Sequence, residues 1–391
     1  SQIIETRTLT SSSCAVFIPF STLELNDDNG INYSCNLISK NLIVYDRMSA
    51  SNFNGFILGT PGCVDCETEF FNGKEWKSIA DYEHGEQVLQ FDPVTEEASL
   101  VVPEHYIKKR CSEMYHFETK YGINQTLSEE HRVIYYSRNA TDGTYSKAKE
   151  LSAGALADLQ NAGKFHGRFK TDFKYKGAGI DLPDTKIWQI FNGYAKNAPD
   201  HKDTDMGKWY GCDAKQFRII VDSIWQRNEH GAHVEDAVFT TRSKPLADLI
   251  QFAFAVCGYR VSILEQSSIS SAKEYILCIS SQTMVGMEWG NGEADEHVSV
   301  QKVSPADGYK YCFTVPTHTL VLRRKGRIFI TGNSGKSFTS KTEMLNVFLK
   351  TNSDIIVIDP ENEYAALAKI LGGEVINIVP GGDVHINPLE I

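Results

Sequence analysis

The feature that most constrains this chain is a nucleotide-binding motif cut in two. Ser334-Gly335-Lys336-Ser337 is the back half of a phosphate loop, whose full form is G-x-x-x-x-G-K-[ST] directly after a strand. Upstream of it stands RIFITGN, with no glycine at the required offset. The front half lies far away, where the apolar run Phe56-Ile57-Leu58 leads into Gly59-Thr60-Pro61-Gly62. Joining residue 62 to residue 334 restores the loop in register, with Gly59, Gly62, Gly335, Lys336 and Ser337 as the phosphate-binding positions. Such a loop points consecutive backbone N–H groups at phosphate oxygens from a helix N-terminus, so it tolerates no domain in its middle. Two unrelated glycine-rich turns are the simpler alternative, but they leave the shared register to coincidence.

At 391 residues the chain exceeds what one core usually supports. Its net charge of −11 argues against a surface that embraces DNA or anionic lipid throughout, so any nucleic-acid contact is a local patch. No apolar run is long enough to span a membrane, and the first residues carry no secretory signal pattern. Nine cysteines without framework spacing point to reduced thiols in a cytosol.

The 271 residues from Cys63 to Asn333, followed by Ser334, present the three side chains that protein splicing needs. Cys63 would attack the Gly62 carbonyl and turn that amide into a thioester. The Ser334 hydroxyl would then take over the N-terminal flank as a branched ester. Asn333 would cyclise through its side-chain nitrogen and cut the chain, and an oxygen-to-nitrogen shift would leave a Gly62–Ser334 peptide bond. No cofactor is consumed, and each chain turns over once. The ends must meet at roughly 3 to 3.5 Å. Closing a flexible loop of this length costs on the order of 5 kcal/mol, so a folded scaffold has to hold them.

The segment resembles the inteins, whose splicing domain is the all-β HINT horseshoe. The resemblance rests on CVDCETEFFNGKEWKSIADYEHGEQVLQFDPVTEEASLVVP at the start and YCFTVPTHTLVLRRKGRIFITGNS at the end, with Lys325-Gly326 as a hairpin turn. Within QTLSEEHRVIYY it makes His131 the histidine that assists the scissile amide and Ser128, rather than Thr126, its partner hydroxyl. In the closing piece Cys312 occupies the position where many inteins have Asp, and reads equally as a small buried core residue. His318 takes the place of the histidine that helps Asn333. The penultimate residue is Gly332 where many inteins have His. Cys63-Val64-Asp65-Cys66 raises either a Cys63–Cys66 redox switch or a packed Cys66; a lone C-x-x-C is weak evidence for zinc.

The flanks resemble the conjugative-transfer ATPases of type IV secretion, through NLIVYDR, FNGFILGTPG-SGKSF, IIVIDPENEYAAL and HINPLEI. That resemblance implies an ATP- and magnesium-dependent host at the cytoplasmic face of the membrane, working with other secretion components after splicing. The flank pattern also predicts a helix whose Met344, Leu345, Val347, Phe348 and Leu349 face a sheet, then a buried parallel strand over residues 355–358. In the middle, FTTRSKPLADLIQFAFAVCGYRVSI resembles part of a LAGLIDADG homing endonuclease, which would use a divalent metal if active. The expected acids are missing, Glu229 apart, so a degenerate remnant is expected. KFHGRFKTDFKYK interleaves bases with Phe165, Phe169, Phe173 and Tyr175, fitting either weak DNA contact or a half-packed strand pair.

The expected fold is therefore a mainly β HINT horseshoe with an inserted α+β endonuclease-like domain, flanked by α/β P-loop host fragments. Its parts are residues 1–62, 63–148, 149–288, 289–333 and 334–391. Self-splicing is the expected activity. The alternatives are a P-loop hydrolase with a non-splicing insertion, and an intein with an active site-specific endonuclease.

Overall fold

Lys325 and Gly326 both take positive φ, 46° and 71°, the two-residue turn that suits the twist of antiparallel strands. On either side of it Thr319–Arg324 pairs with Arg327–Gly332, and every residue of both strands is buried. Gly326 is needed for a second reason: a Cβ there would lie 2.3 Å from the Ile263 carbonyl oxygen.

This hairpin belongs to a computed structural model that describes residues 26–35, 41–49, 62–119, 122–139, 141–196, 206–225, 238–267, 273–287, 299–332, 336–359 and 364–376. The chain divides into two compact units, Thr60–Gly335 and a second made of Ser1–Gly59 with Lys336–Ile391. The first is mainly β. Among its described residues an eleven-stranded sheet runs from Lys174–Tyr175 through Glu97–Val101, Val88–Asp92, the closing hairpin, Arg132–Ser137 and Gly167–Lys170 to Met284–Gly286.

Strand side chains alternate between faces, and here both faces are covered. Leu320, Leu322 and Phe329 join one core with Phe70, Val88, Phe117, Leu127 and Val133. Their neighbours Val321, Ile328 and Ile330 join a second core with Phe71, Leu89 and Phe91. The far wall of that second core is helical: Ile187 and Phe191 come from Asp184–Lys196, Phe217 and Ile220 from Ala214–Ile224, Leu246 and Phe252 from Lys244–Val256. Double burial explains why residues 320–322 and 328–330 are apolar at consecutive positions.

The expected 149–288 insert is thus woven into the eleven-stranded sheet. Lys149–Ser152, Gly167–Lys170, Lys174–Tyr175 and Met284–Gly286 all pair within it, while Val238–Thr241, Arg260–Ser267 and Lys273–Ser280 form their own three-stranded sheet. Phe165, Phe169 and Phe173 are buried, the first two with rings stacked at 5.7 Å, which excludes them as base-stacking groups and corrects that alternative. Glu229 lies outside the described residues.

A buried charge ties sheet to helices. Arg323, 1% exposed, donates to Glu69 (2.7 and 3.0 Å) on the neighbouring strand and to Asp248 (2.6 Å) on the helix Lys244–Val256. Its guanidinium also lies 4.6 Å from the centre of the Trp76 ring.

In the second unit Ile31–Cys35 pairs antiparallel with Leu42–Tyr45, and Glu343 of the helix Lys336–Lys350 accepts from Tyr33 and pairs with Arg47. The parallel strand expected over 355–358 does not form. A parallel strand requires a paired neighbour, which the described residues do not provide, and Ile356 and Ile358 stand 90% and 93% exposed. The expected sheet-facing side of the helix is likewise uncovered at Leu345, Phe348 and Leu349. No described helix is long and apolar enough to cross a membrane.

Removing one carboxylate strands the buried guanidinium. Asp248→Ala is expected to cost about 3 kcal/mol in urea unfolding followed by tryptophan fluorescence; a loss below about 0.5 kcal/mol, the range of an ordinary surface substitution, would contradict the network's structural role.

Candidate functional site

Val64 stands between two strands, bridged antiparallel to Leu127 on one side and to Tyr311 on the other. It exchanges both backbone hydrogen bonds with Tyr311, at 2.8 Å each. That register makes Cys63 and Cys312 the next opposed pair, of the non-hydrogen-bonded kind whose side chains come closest. Their thiols are hydrogen bonded to each other, and both cysteines are buried and free of disulfides. The bond to Cys63, reinforced by burial, pushes the Cys312 thiol well above the ordinary range, so it stays protonated. Cys66 turns elsewhere, bonding the Asp307 carboxylate. The close partner of Cys63 across the strands is therefore Cys312.

The chain before and after Cys63 is gripped from the loop that follows Asn124–Leu127. The Cys63 N–H donates to Ser128 Oγ at 3.0 Å, and the Ser128 N–H donates to the Cys63 carbonyl at 2.9 Å. Thr126 instead places its hydroxyl 2.9 Å from His116 Nδ1. The turn continues with the His131 N–H donating to the Ser128 carbonyl, which brings the imidazole under Gly62. A Cβ on Gly62 would lie 2.6 Å from His131 Cα and 3.2 Å from its Nδ1, so only glycine fits.

His131 Nε2 lies 2.6 Å from Thr331 Oγ1. The Thr331 hydroxyl also lies 3.3 Å from the Arg132 carbonyl, and the direction of its bond to His131 follows the tautomer of the ring. Nδ1 faces the Gly62 backbone, without a hydrogen bond of normal geometry. Complete burial lowers the His131 pKa to about 4, against a smaller opposing effect of the Gly62 backbone. At neutral pH the ring is uncharged. Nearby, Lys310 pairs with Glu130; desolvation pulls the amine's pKa down, but Glu130 and Cys63 outweigh it and hold the amine charged.

Gly332 is packed as tightly on the next residue. A Cβ there would lie 2.3 Å from Arg132 Nε and 3.0 Å from the Arg132 carbonyl oxygen. Arg132 donates one terminal nitrogen to the His318 carbonyl and the other to Glu150 at 3.3 Å. His318 is half-buried with φ of +53°, directly before the Thr319 that pairs with Gly332.

The structure thus gathers Cys63, Ser128, His131 and Cys312, and sets His318 beside Arg132. Asn333, Ser334, Gly335 and Gly59 lie outside the described residues, as do the side chains of Lys336 and Ser337, which begin the helix Lys336–Lys350. Arg132, Thr331, Lys310 and Glu130 escaped the sequence reading; their only signal is adjacency to His131, Cys312 and the junction. Among the described residues no three His, Cys, Asp or Glu side chains group as a metal would require.

Residues 328–391 match the family model of the helicase HerA central domain. No curated protein matches the chain. Similar solved structures include one described as the AceL NrdHF class 3 split intein, a glutathione-linked splice-inactive variant, at 15% identity and TM-score 0.29, covering 70% of this chain and 98% of that one. The Mvu and Mja mini-inteins of transcription factor IIB follow, at 11% and 10% identity and TM-scores 0.26 and 0.22, each covering 70% of this chain and 100% and 96% of their own. At such TM-scores the likeness is too distant to carry an argument.

Burial of His131 has a measurable consequence. Its folded pKa lies below the unfolded value of 6.5, so its neutral form stabilises the fold above that pH, and the contribution is lost as pH falls toward 4. The loss should amount to on the order of 3 kcal/mol. Urea unfolding at pH 7 and pH 4.5 should show a smaller acid loss for His131→Gln than for the unaltered chain; equal losses would show that the ring is not buried neutral.

Proposed function

We propose that residues 63–333 excise themselves and join Gly62 to Ser334. One observation carries the reading: both ends of the segment rest on one dipeptide, Gly62 against His131 and Gly332 against Arg132. A scaffold that brings residues 62 and 332 onto neighbouring positions has met the closure cost that this chemistry demands. The mainly β unit that brings both junctions onto His131 and Arg132 supports the HINT reading.

The contacts support a first step. Cys63 Sγ attacks the Gly62 carbonyl carbon, the C–N bond breaks, and the Cys63 nitrogen leaves as an amine. Ser128 Oγ holds the amide N–H in one orientation. Neutral His131, with Nδ1 toward Gly62, takes the thiol proton and returns it to the departing nitrogen. Cys312, a protonated thiol bonded to Cys63, fixes the nucleophile's direction. Ser334 then attacks the thioester, Asn333 cyclises with help from His318, and the ester shifts to an amide. The parts given to Asn333 and Ser334 rest on the sequence.

Excision also completes the host. The match of residues 328–391 to the helicase HerA central domain supports a P-loop ATPase flank, with Gly59, Gly62, Gly335, Lys336 and Ser337 holding ATP and magnesium only after ligation. The flank motifs make a conjugative-transfer ATPase at the cytoplasmic membrane face the proposed host. For the LAGLIDADG-like middle we propose a scaffolding rather than a DNA-cutting part, because its helices wall the second core.

Blocking the last step should trap the first. Asn333→Ala treated with dithiothreitol should release a fragment ending at Gly62, seen by intact mass, and Cys63→Ala should abolish the release. A chain that stays whole in both variants would refute self-splicing.

A further inference from the structure

Two reduced thiols face each other inside the Thr60–Gly335 unit, and their placement suits them to a second covalent state. We propose that Cys63 and Cys312 are a cross-strand disulfide site, closed by a hydroperoxide and reopened by a thiol or phosphine reductant. The consequence rests on the splicing reading: while the disulfide stands, Cys63 cannot attack Gly62.

Register carries the proposal. Val64 and Tyr311 exchange both backbone hydrogen bonds, at 2.8 Å each, so residues 63 and 312 form the next pair, of the non-hydrogen-bonded kind. Cα atoms of such a pair stand about 4.5 Å apart, within the range of about 4.4 to 6.8 Å that a disulfide spans. Directly opposed side chains leave the same face of their strands, so the sulfurs can bond without backbone movement. The two thiols are already hydrogen bonded, and both cysteines are buried.

Both backbones are also held in place. The Cys63 N–H donates to Ser128 Oγ at 3.0 Å, and the Cys63 carbonyl accepts from the Ser128 N–H at 2.9 Å. Cys312 lies within the strand Tyr309–Thr314, opposite Ile107 of the strand His105–Arg110. Cys66, the nearer thiol in sequence, is engaged by the Asp307 carboxylate instead. Pairing across the strands therefore outcompetes pairing along the chain.

In the step itself Cys63 Sγ attacks the terminal oxygen of the hydroperoxide. An S–O bond forms, the O–O bond breaks, and the Cys63 thiol proton leaves with the released alcohol or water. Cys312 Sγ then displaces hydroxide from Cys63 Sγ: the S–S bond forms, the S–O bond breaks, and the Cys312 proton leaves with the hydroxide as water. The two thiols lose two electrons, and the hydroperoxide gains them. A sulfenic acid without a neighbouring thiol goes on to the irreversible sulfinic acid, so Cys312 keeps the oxidation of Cys63 reversible. Self-excision then waits for reductant, and the phosphate loop stays divided until it arrives.

The test uses the full chain carrying Asn333→Ala and Ser334→Ala, which stops the reaction at the thioester. Hydroxylamine, which cleaves thioesters and spares disulfides, then releases a fragment ending at Gly62. After hydrogen peroxide treatment of the folded chain, tandem mass spectrometry of the tryptic digest should show Cys63 joined to Cys312. Fragment release should fall by about tenfold or more, because the nucleophile is masked, and should return with tris(2-carboxyethyl)phosphine. Cys66→Ser should change neither result. Cys312→Ser should lose the cross-link and, relative to its own release before oxidation, fail to recover with phosphine. A digest in which Cys63 is joined to Cys66, or to no cysteine, overturns the proposal, and so does full recovery in Cys312→Ser. A chain that shows the cross-link yet releases nothing before oxidation or after reduction refutes the splicing reading and leaves the disulfide site standing.

Discussion

Everything at the site depends on two adjacent residues serving as the floor for both ends of the segment. Gly62 approaches His131, and Gly332 approaches Arg132, each so closely that a Cβ would not fit. Backbones can come that near only when both sides are fixed, and several strands fix them. Val64 is bracketed by Leu127 and Tyr311, while Val133 faces Thr331 across the ladder between Arg132–Ser137 and Arg327–Gly332. A loop-closure cost of on the order of 5 kcal/mol is thus met by sheet pairing before any chemistry starts.

The same sheet explains the place of the middle segment. Its alternate residues need a second core, and the helices Asp184–Lys196, Ala214–Ile224 and Lys244–Val256 provide it. Arg323 sits between the two, shared by Glu69 on a strand and Asp248 on a helix. Stripping away the helices would expose Phe71, Leu89 and Phe91 and leave Arg323 short of a carboxylate. The middle segment forms a wall of the second core of the Thr60–Gly335 unit whatever its ancestry.

Much of the site could be read from local spacing. Ser128 and His131 lie three residues apart in one turn beside a strand, so a motif gives their neighbourhood directly. The Lys325-Gly326 turn was equally legible, since positive φ at both positions has a residue signature. What escaped depends on register between distant strands. That Cys312 faces Cys63 rather than another residue follows from the Val64–Tyr311 bridge, and no local pattern encodes it. Arg132 and Thr331 acquire meaning only once their strands pair. The strand expected over 355–358 failed for a related reason: its apolar run has β character, but strand structure is conferred by a neighbour. The Phe165, Phe169 and Phe173 series was ambiguous because alternation of base and ring describes a half-buried strand as well as a nucleic-acid surface.

The phosphate-loop halves and the two junction glycines converge on one covalent claim, a new bond between Gly62 and Ser334. Tryptic digestion of the expressed chain followed by tandem mass spectrometry tests it directly. The account predicts a peptide that starts at Met48, runs to Gly62 and continues without a gap through Ser334 and Gly335 to Lys336. Finding only the peptide in which Gly62 is followed by Cys63, even after long incubation in reductant, would contradict it.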